Sequence, residues 1–213
     1  MGAISEADTE ELLNRAATGD AAASFALLGR HRARLKRMIA IRTDKRFASR
    51  FDDSDVVQET LAAAADQLPQ YLETRAVPFY LWLRRLAERK LIETCRYHDR
   101  RRRSVGREDD PAPAGLGLPD HSALDLARRL IAPGKSPSQS IARREVRDRV
   151  QAALAALGER DREILVLYHL ERLTAAETAT VLGLSGEAVK SRRRRAILRL
   201  GAQLKSLYNE IGE

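Results

Sequence analysis

The sequence predicts an all-α protein of two small helical domains, a larger N-terminal one and a C-terminal helix-turn-helix, joined by a flexible linker. Three observations carry this expectation. Alanine, leucine, arginine and glutamate dominate a chain of 213 residues that is 44% hydrophobic and holds only 12 glycines and 7 prolines, a composition that favours helix. Apolar residues recur at helical spacing in both halves, and no stretch alternates with the period of two that a strand needs. Between the halves, residues 104–140 carry glycine, proline and acid but too little apolar surface to order themselves. The domains are accordingly drawn at 5–103 and 141–208, with 104–140 as linker.

Each element has a local reason. Ser5 and Asp8 stand at capping-box spacing, so a first helix is predicted to begin near Ser5 and to end at Thr18-Gly19-Asp20. The second runs from Ala21 with Phe25, Leu28, Leu35 and Ile39 as its inward stripe and arginines opposite. Asp52 or Asp53 caps a third over 54–68, which is predicted to stop before Pro69. After a loop at 69–77, a long helix takes Pro78 into its first turn and continues toward Arg103. Phe79, Trp82, Leu83, Leu86 and Leu91 form its apolar side, while Arg84, Arg85, Arg89, Lys90 and Arg96 stay polar. Beyond the linker, Val150, Leu154 and Leu157 make a stripe that Gly158 ends, and 161–170 makes another helix.

Residues 173–200 are the most informative stretch. Two helices hinge at Gly183-Leu184-Ser185, and the second carries Lys190 and the run Arg192 to Arg195. Ala179 is small where the helices approach, Gly183 permits a positive φ at the turn, and Val189 buries the second helix. This is helix-turn-helix spacing, in which the second helix enters the DNA major groove. Val189, Ala196 and Leu200 should face the core. A solvated basic surface helix is the plainer alternative.

Charge and cysteine usage narrow the class. The formal net charge is +8, concentrated in arginine-rich helices, which fits a polyanionic partner such as nucleic acid. No apolar span suggests a membrane helix, and the acidic N-terminus lacks a secretory pattern. The single cysteine, Cys95, suits a reducing cytoplasm and reads as helix filler. No cofactor is expected, and His31, His98, His121 and His169 show no metal-ligand spacing.

Three segments together resemble the extracytoplasmic-function RNA polymerase sigma factors, bacterial promoter-specificity subunits of the sigma-70 superfamily. They are Asp55-Val56-Val57-Gln58-Glu59-Thr60, then Trp82-Leu83-Arg84-Arg85-Leu86-Ala87 with its basic tail, and the helix-turn-helix with the preceding Leu157 and Arg160-Asp161-Arg162-Glu163. Asp55, Gln58 and Glu59 lie at i, i+3 and i+4 and share one helix face. An acidic patch on so basic a chain reads either as a solvated helix face with an aspartate favoured by the dipole or as a docking face for a basic protein partner; the resemblance implies the second, with the clamp helices of the polymerase β′ subunit as the partner.

The resemblance also implies promoter contacts. Tyr71 with the loop at 69–77, and the track Arg84, Arg85, Arg89, Lys90 and Arg96, would open and hold the −10 element, where unstacked bases need cations and pockets. Lys190, Ser191, Arg192, Arg194 and Arg195 fall where the −35 element is contacted, while the C-terminal domain touches the β flap. Glu187 reads either as a cytosine acceptor or as a partner of the helix dipole. Trp82 and Phe79 lie on the apolar stripe and read as core, and Tyr80 is left open. Four positions depart from the family pattern: Arg193 stands where an apolar residue packs the recognition helix inward, Thr178 replaces a larger apolar residue, and Arg89 and Glu93 stand where asparagine and aspartate are more common. An anti-sigma factor is a further possible partner. The competing readings are a structural nucleic-acid-coating protein, which two distinct domains and a long linker argue against, a helix-turn-helix regulator that is no polymerase subunit, and a nucleic-acid enzyme. The last lacks clustered carboxylates beyond Asp52, Asp53 and Asp55, so no catalysis is expected.

Overall fold

The computed structural model describes residues 6–43, 51–104, 152–154 and 156–211, together with Ser122 and Leu126. Every regular element among them is helical. The chain divides into two units, Met1–Gly117 and Leu118–Glu213. Ser5, Val150 and nearly all of the expected linker lie outside the described residues.

In the first unit, α1 (Glu6–Ala17) stops where Gly19 takes φ 88°. Asp20 then caps α2 (Ala21–Arg42), accepting from the Ala23 N–H at 2.9 Å. That hydrogen bond, followed by the Arg15 guanidinium at 2.7 Å, holds the Asp20 carboxyl below the usual carboxylate range. The inward stripe of α2 is Ala23, Leu27, Leu28, His31, Leu35, Met38 and Ile39. Phe25, expected on that stripe, is 82% exposed. It is two residues from both Ala23 and Leu27, half a turn off the face they bury.

Asp52, not Asp53, caps α3 (Asp53–Thr74) through the Ser54 N–H. The helix does not stop before Pro69 but runs a turn and a half past it. A proline removes one N–H, and the carbonyl it orphans belongs to Ala65, which is exposed and can bond water. Burial of Leu68 and Tyr71 holds the helix together across that gap. It ends at Arg75, in the left-handed conformation with φ 41°. After Pro78, α4 (Phe79–Ser104) follows as expected. Helices α2, α3 and α4 pack on one another, and α1 leans on α2 and α3.

In the second unit, Ala153, Leu154 and Leu157 are buried ahead of α5 (Glu159–Leu165). The expected single helix over 161–170 changes character midway, because Val166–Leu170 forms a π-helical turn. Thr174 and Glu177 make a reciprocal capping box that starts α6 (Ala175–Leu182). Gly183, at φ 62°, turns the chain into α7 (Gly186–Ile211). Val189, Ala196 and Leu200 are buried, as the spacing predicts. Thr178 is fully buried, and its hydroxyl donates to the Thr174 carbonyl at 2.8 Å, so the polar substitution is satisfied within α6.

Candidate nucleic-acid and protein interfaces

On α7 the burial of Val189, Ala196 and Leu200 decides which cations are free. Lys190, Ser191, Arg194 and Arg195 are exposed, and Arg192 is half-buried. Arg193 turns back toward the core, with its guanidinium carbon 3.9 Å from the centre of the Tyr168 ring. Glu187 is in the first turn and bonds Lys190 at 2.7 Å, which favours the dipole-partner reading. Arg199 on the flank pairs with Asp161 at 2.8 Å and ties α7 to α5.

The expected −10 track divides in two. Arg85, Arg89 and Arg96 are exposed. They lie at i, i+4 and i+11, and Arg100 at i+15 extends the same stripe. Lys90 sits at its edge, partly covered and bonded to Glu93 at 3.1 Å. Arg84 does not belong to this track. Its side chain is 3% exposed and pairs with Glu88 at 3.3 Å, because its position in the helical turn points into the core with Leu83, Ala87 and Leu91.

Tyr71 is not a loop residue open to a flipped base. It is buried in the last turns of α3, stacked on the half-buried Trp82 at 4.6 Å and edge-on to Phe79 at 5.3 Å. Its hydroxyl donates to the Val77 carbonyl at 2.9 Å. Burial pushes the phenol up to about 12, so it remains a donor throughout the usable pH range. The open part of the predicted 69–77 loop thus shrinks to the few residues between α3 and α4.

That short loop has an anchor that sequence reasoning missed. Arg75 donates to Asn14 Oδ1 at 2.9 Å and to the Leu13 carbonyl at 3.1 Å, reaching across to α1. Nothing in the local pattern announces a contact between residues so far apart. Tyr80 is buried as well, with the Arg34 guanidinium 3.5 Å over its ring.

Asp55, Gln58 and Glu59 are all exposed on one face of α3. Val56, Val57, Thr60 and Ala64 occupy the buried side. The two kinds of surface are therefore distinct: an acidic face on α3, and basic faces on α4 and α7. Among the described residues, no group of three or more His, Cys, Asp or Glu is placed to hold a metal. No described helix is long and apolar enough to cross a membrane.

Comparison with known proteins bears directly on these surfaces. Residues 153–201 match the family described as Sigma-70, region 4. The chain is 34% identical over 153 residues to RNA polymerase sigma factor CnrH of Cupriavidus metallidurans, an overlap covering 72% of this chain and 73% of that protein. It is 30% identical over 192 residues to ECF RNA polymerase sigma factor ShbA of Streptomyces griseus subsp. griseus, covering 90% and 92%. A solved structure of CnrH in complex with the cytosolic domain of CnrY is similar with a TM-score of 0.52 and 27% identity, over 93% of this chain and 98% of that one. With the helical architecture and the charged faces in place, these matches make the protein a member of the extracytoplasmic-function RNA polymerase sigma factors, non-enzymatic subunits that bring core polymerase to promoter DNA.

Proposed function

We propose that the two units divide promoter recognition between them. The N-terminal part, drawn at 5–103, docks through Asp55, Gln58 and Glu59 on the β′ clamp helices and engages the −10 element. The part drawn at 141–208 reads the −35 element in duplex DNA and touches the β flap, with 104–140 as the linker between them. The observation that carries this reading is the outward face of α7, where Lys190, Ser191, Arg194 and Arg195 are exposed while Val189, Ala196 and Leu200 are buried. Arginines that reach guanine O6 and N7 select sequence, and those on phosphate set affinity and salt dependence.

For the −10 element the stripe Arg85, Arg89 and Arg96, with Lys90 at its edge, is the cationic track. It tracks the displaced strand, and the short loop anchored by Arg75 faces the melted base. The work is done in the cytoplasm, where polymerase and chromosome are. That the similar sigma factor CnrH is held in a complex with the cytosolic domain of CnrY supports a protein partner for this chain too, and an anti-sigma factor is the kind that would hold it from polymerase until a signal arrives.

Run-off transcription with core polymerase tests the whole scheme. A Gln58→Lys/Glu59→Lys chain should keep its fold and lose core binding in a pull-down. Retained core affinity would remove the α3 face from the interface.

A further inference from the structure

Arg193 occupies a position that a cation should avoid. It follows Val189 by four residues and precedes Ala196 by three and Leu200 by seven, so it lies within the core-facing stripe of α7, and those three neighbours are buried. A guanidinium there must leave the core by some route. It does so over the Tyr168 ring, 3.9 Å from its centre, on the side of α7 opposite Ser191 and Arg195. Tyr168 is itself half-buried. It sits in the π-helical turn Val166–Leu170, between the buried Leu167 and Leu170. A π-turn sets side chains at angles an α-helix would not, and here it brings an aromatic face under the recognition helix.

We propose that Arg193 is a positioning residue: its stacking on Tyr168 sets the rotation of α7 about its own axis, and so decides which neighbouring cations face the DNA. The contact is well placed for this. Arg199 on Asp161 pins the helix one and a half turns further on, and the two ties lie on different flanks of the buried stripe, so loosening one lets the helix roll. The inference rests on the −35 reading of α7.

The test uses the full chain in holoenzyme, with promoter fragments carrying an intact or a scrambled −35 element, across a range of salt. Arg193→Ala and Tyr168→Leu should each lower the preference for the intact element by about two- to fivefold. The double variant should be no worse than either single one, because both remove the same contact. The slope of log affinity against log salt should stay unchanged, whereas losing a phosphate contact shifts it by about 0.9. Tyr168→Phe, which keeps the ring face, should behave as wild type and guards against a folding defect. A salt slope lowered by Arg193→Ala with Tyr168→Leu silent would make Arg193 a DNA contact and overturn the proposal. Additive losses would overturn it equally. If Arg194→Ala/Arg195→Ala also left the −35 preference intact, the reading of α7 itself would fall, and this inference with it.

Discussion

Helices α4 and α7 look alike in sequence and are used differently. Both have 26 residues, and both are rich in arginine. In α4 the cations are split by tertiary packing: Arg84 is buried against Glu88, while Arg85, Arg89 and Arg96 remain outside. In α7 the apolar stripe is narrow, so Arg194 and Arg195 stay exposed, Arg192 is half-buried and Arg193 turns onto the Tyr168 ring. A helix can therefore be basic all along its length without being a basic face. What matters is how much of its length the neighbours cover, and α4 lies against two long helices where α7 lies against two short ones.

Substitutions can break this contrast directly. Arg84→Ala should cost about 3 kcal/mol in urea unfolding, since it removes buried side-chain carbons and leaves their place in the core unfilled. A cost below about 0.5 kcal/mol would place Arg84 with the surface arginines instead.

Acid should next separate the two units. His31 is buried against Phe79 and Tyr80 with neither ring nitrogen hydrogen-bonded among the described residues. Burial, and then the charges of Arg34 and Arg30, lower it to about 4. Its folded value is below the unfolded one, so its stabilising contribution is present above the unfolded value near 6.5 and is lost as pH falls toward about 4. Between pH 7 and pH 5 the first unit should lose about 2 kcal/mol. Trp82 is the only tryptophan in the chain and lies in that unit, so its fluorescence follows this loss alone. A His31→Leu chain should show no such slope, whatever its baseline stability.

Gly183→Ala should destabilise the second unit by about 1 kcal/mol, because φ 62° is costly for any residue with a Cβ. No atom lies within 4 Å of the added carbon, so the cost is conformational, not steric. A change in thermal midpoint larger than Arg84→Ala produces would contradict that account. The smallest effect is the mirror image of the first. Arg195→Ala should leave stability within about 0.5 kcal/mol of wild type while weakening −35-dependent binding, with its salt slope reporting phosphate or base contact.

The helices and the turn at Gly183 were legible because their signals are local. Asp52, one of two caps expected for α3, caps it, and Val189, Ala196 and Leu200 are buried as their spacing requires; Asp20 and the Thr174–Glu177 box cap α2 and α6 without having been singled out in the sequence. The acidic face of α3 was legible for the same reason. Where the reading failed, a local rule met a distant neighbour. Pro69 marks a stop in isolation, yet packing by Leu68 and Tyr71 carries the helix on. Tyr71 belonged to a loop only as long as the helix ended early. Phe25 looked apolar enough to be core, but Leu27 and His31 set the buried face.

By itself the sequence determined the all-helical class, the helix starts, the helix-turn-helix and the separation of acidic from basic surface, since each follows from residue type at spacings within one or two turns. Only the tertiary structure decided which cations are free. The burial of Arg84, the inward turn of Arg193 onto Tyr168 and the reach of Arg75 to α1 depend on what another helix presents opposite them. A guanidinium on a long flexible stem can follow an aromatic ring or a backbone carbonyl wherever another element offers it, and no spacing along one helix encodes that offer.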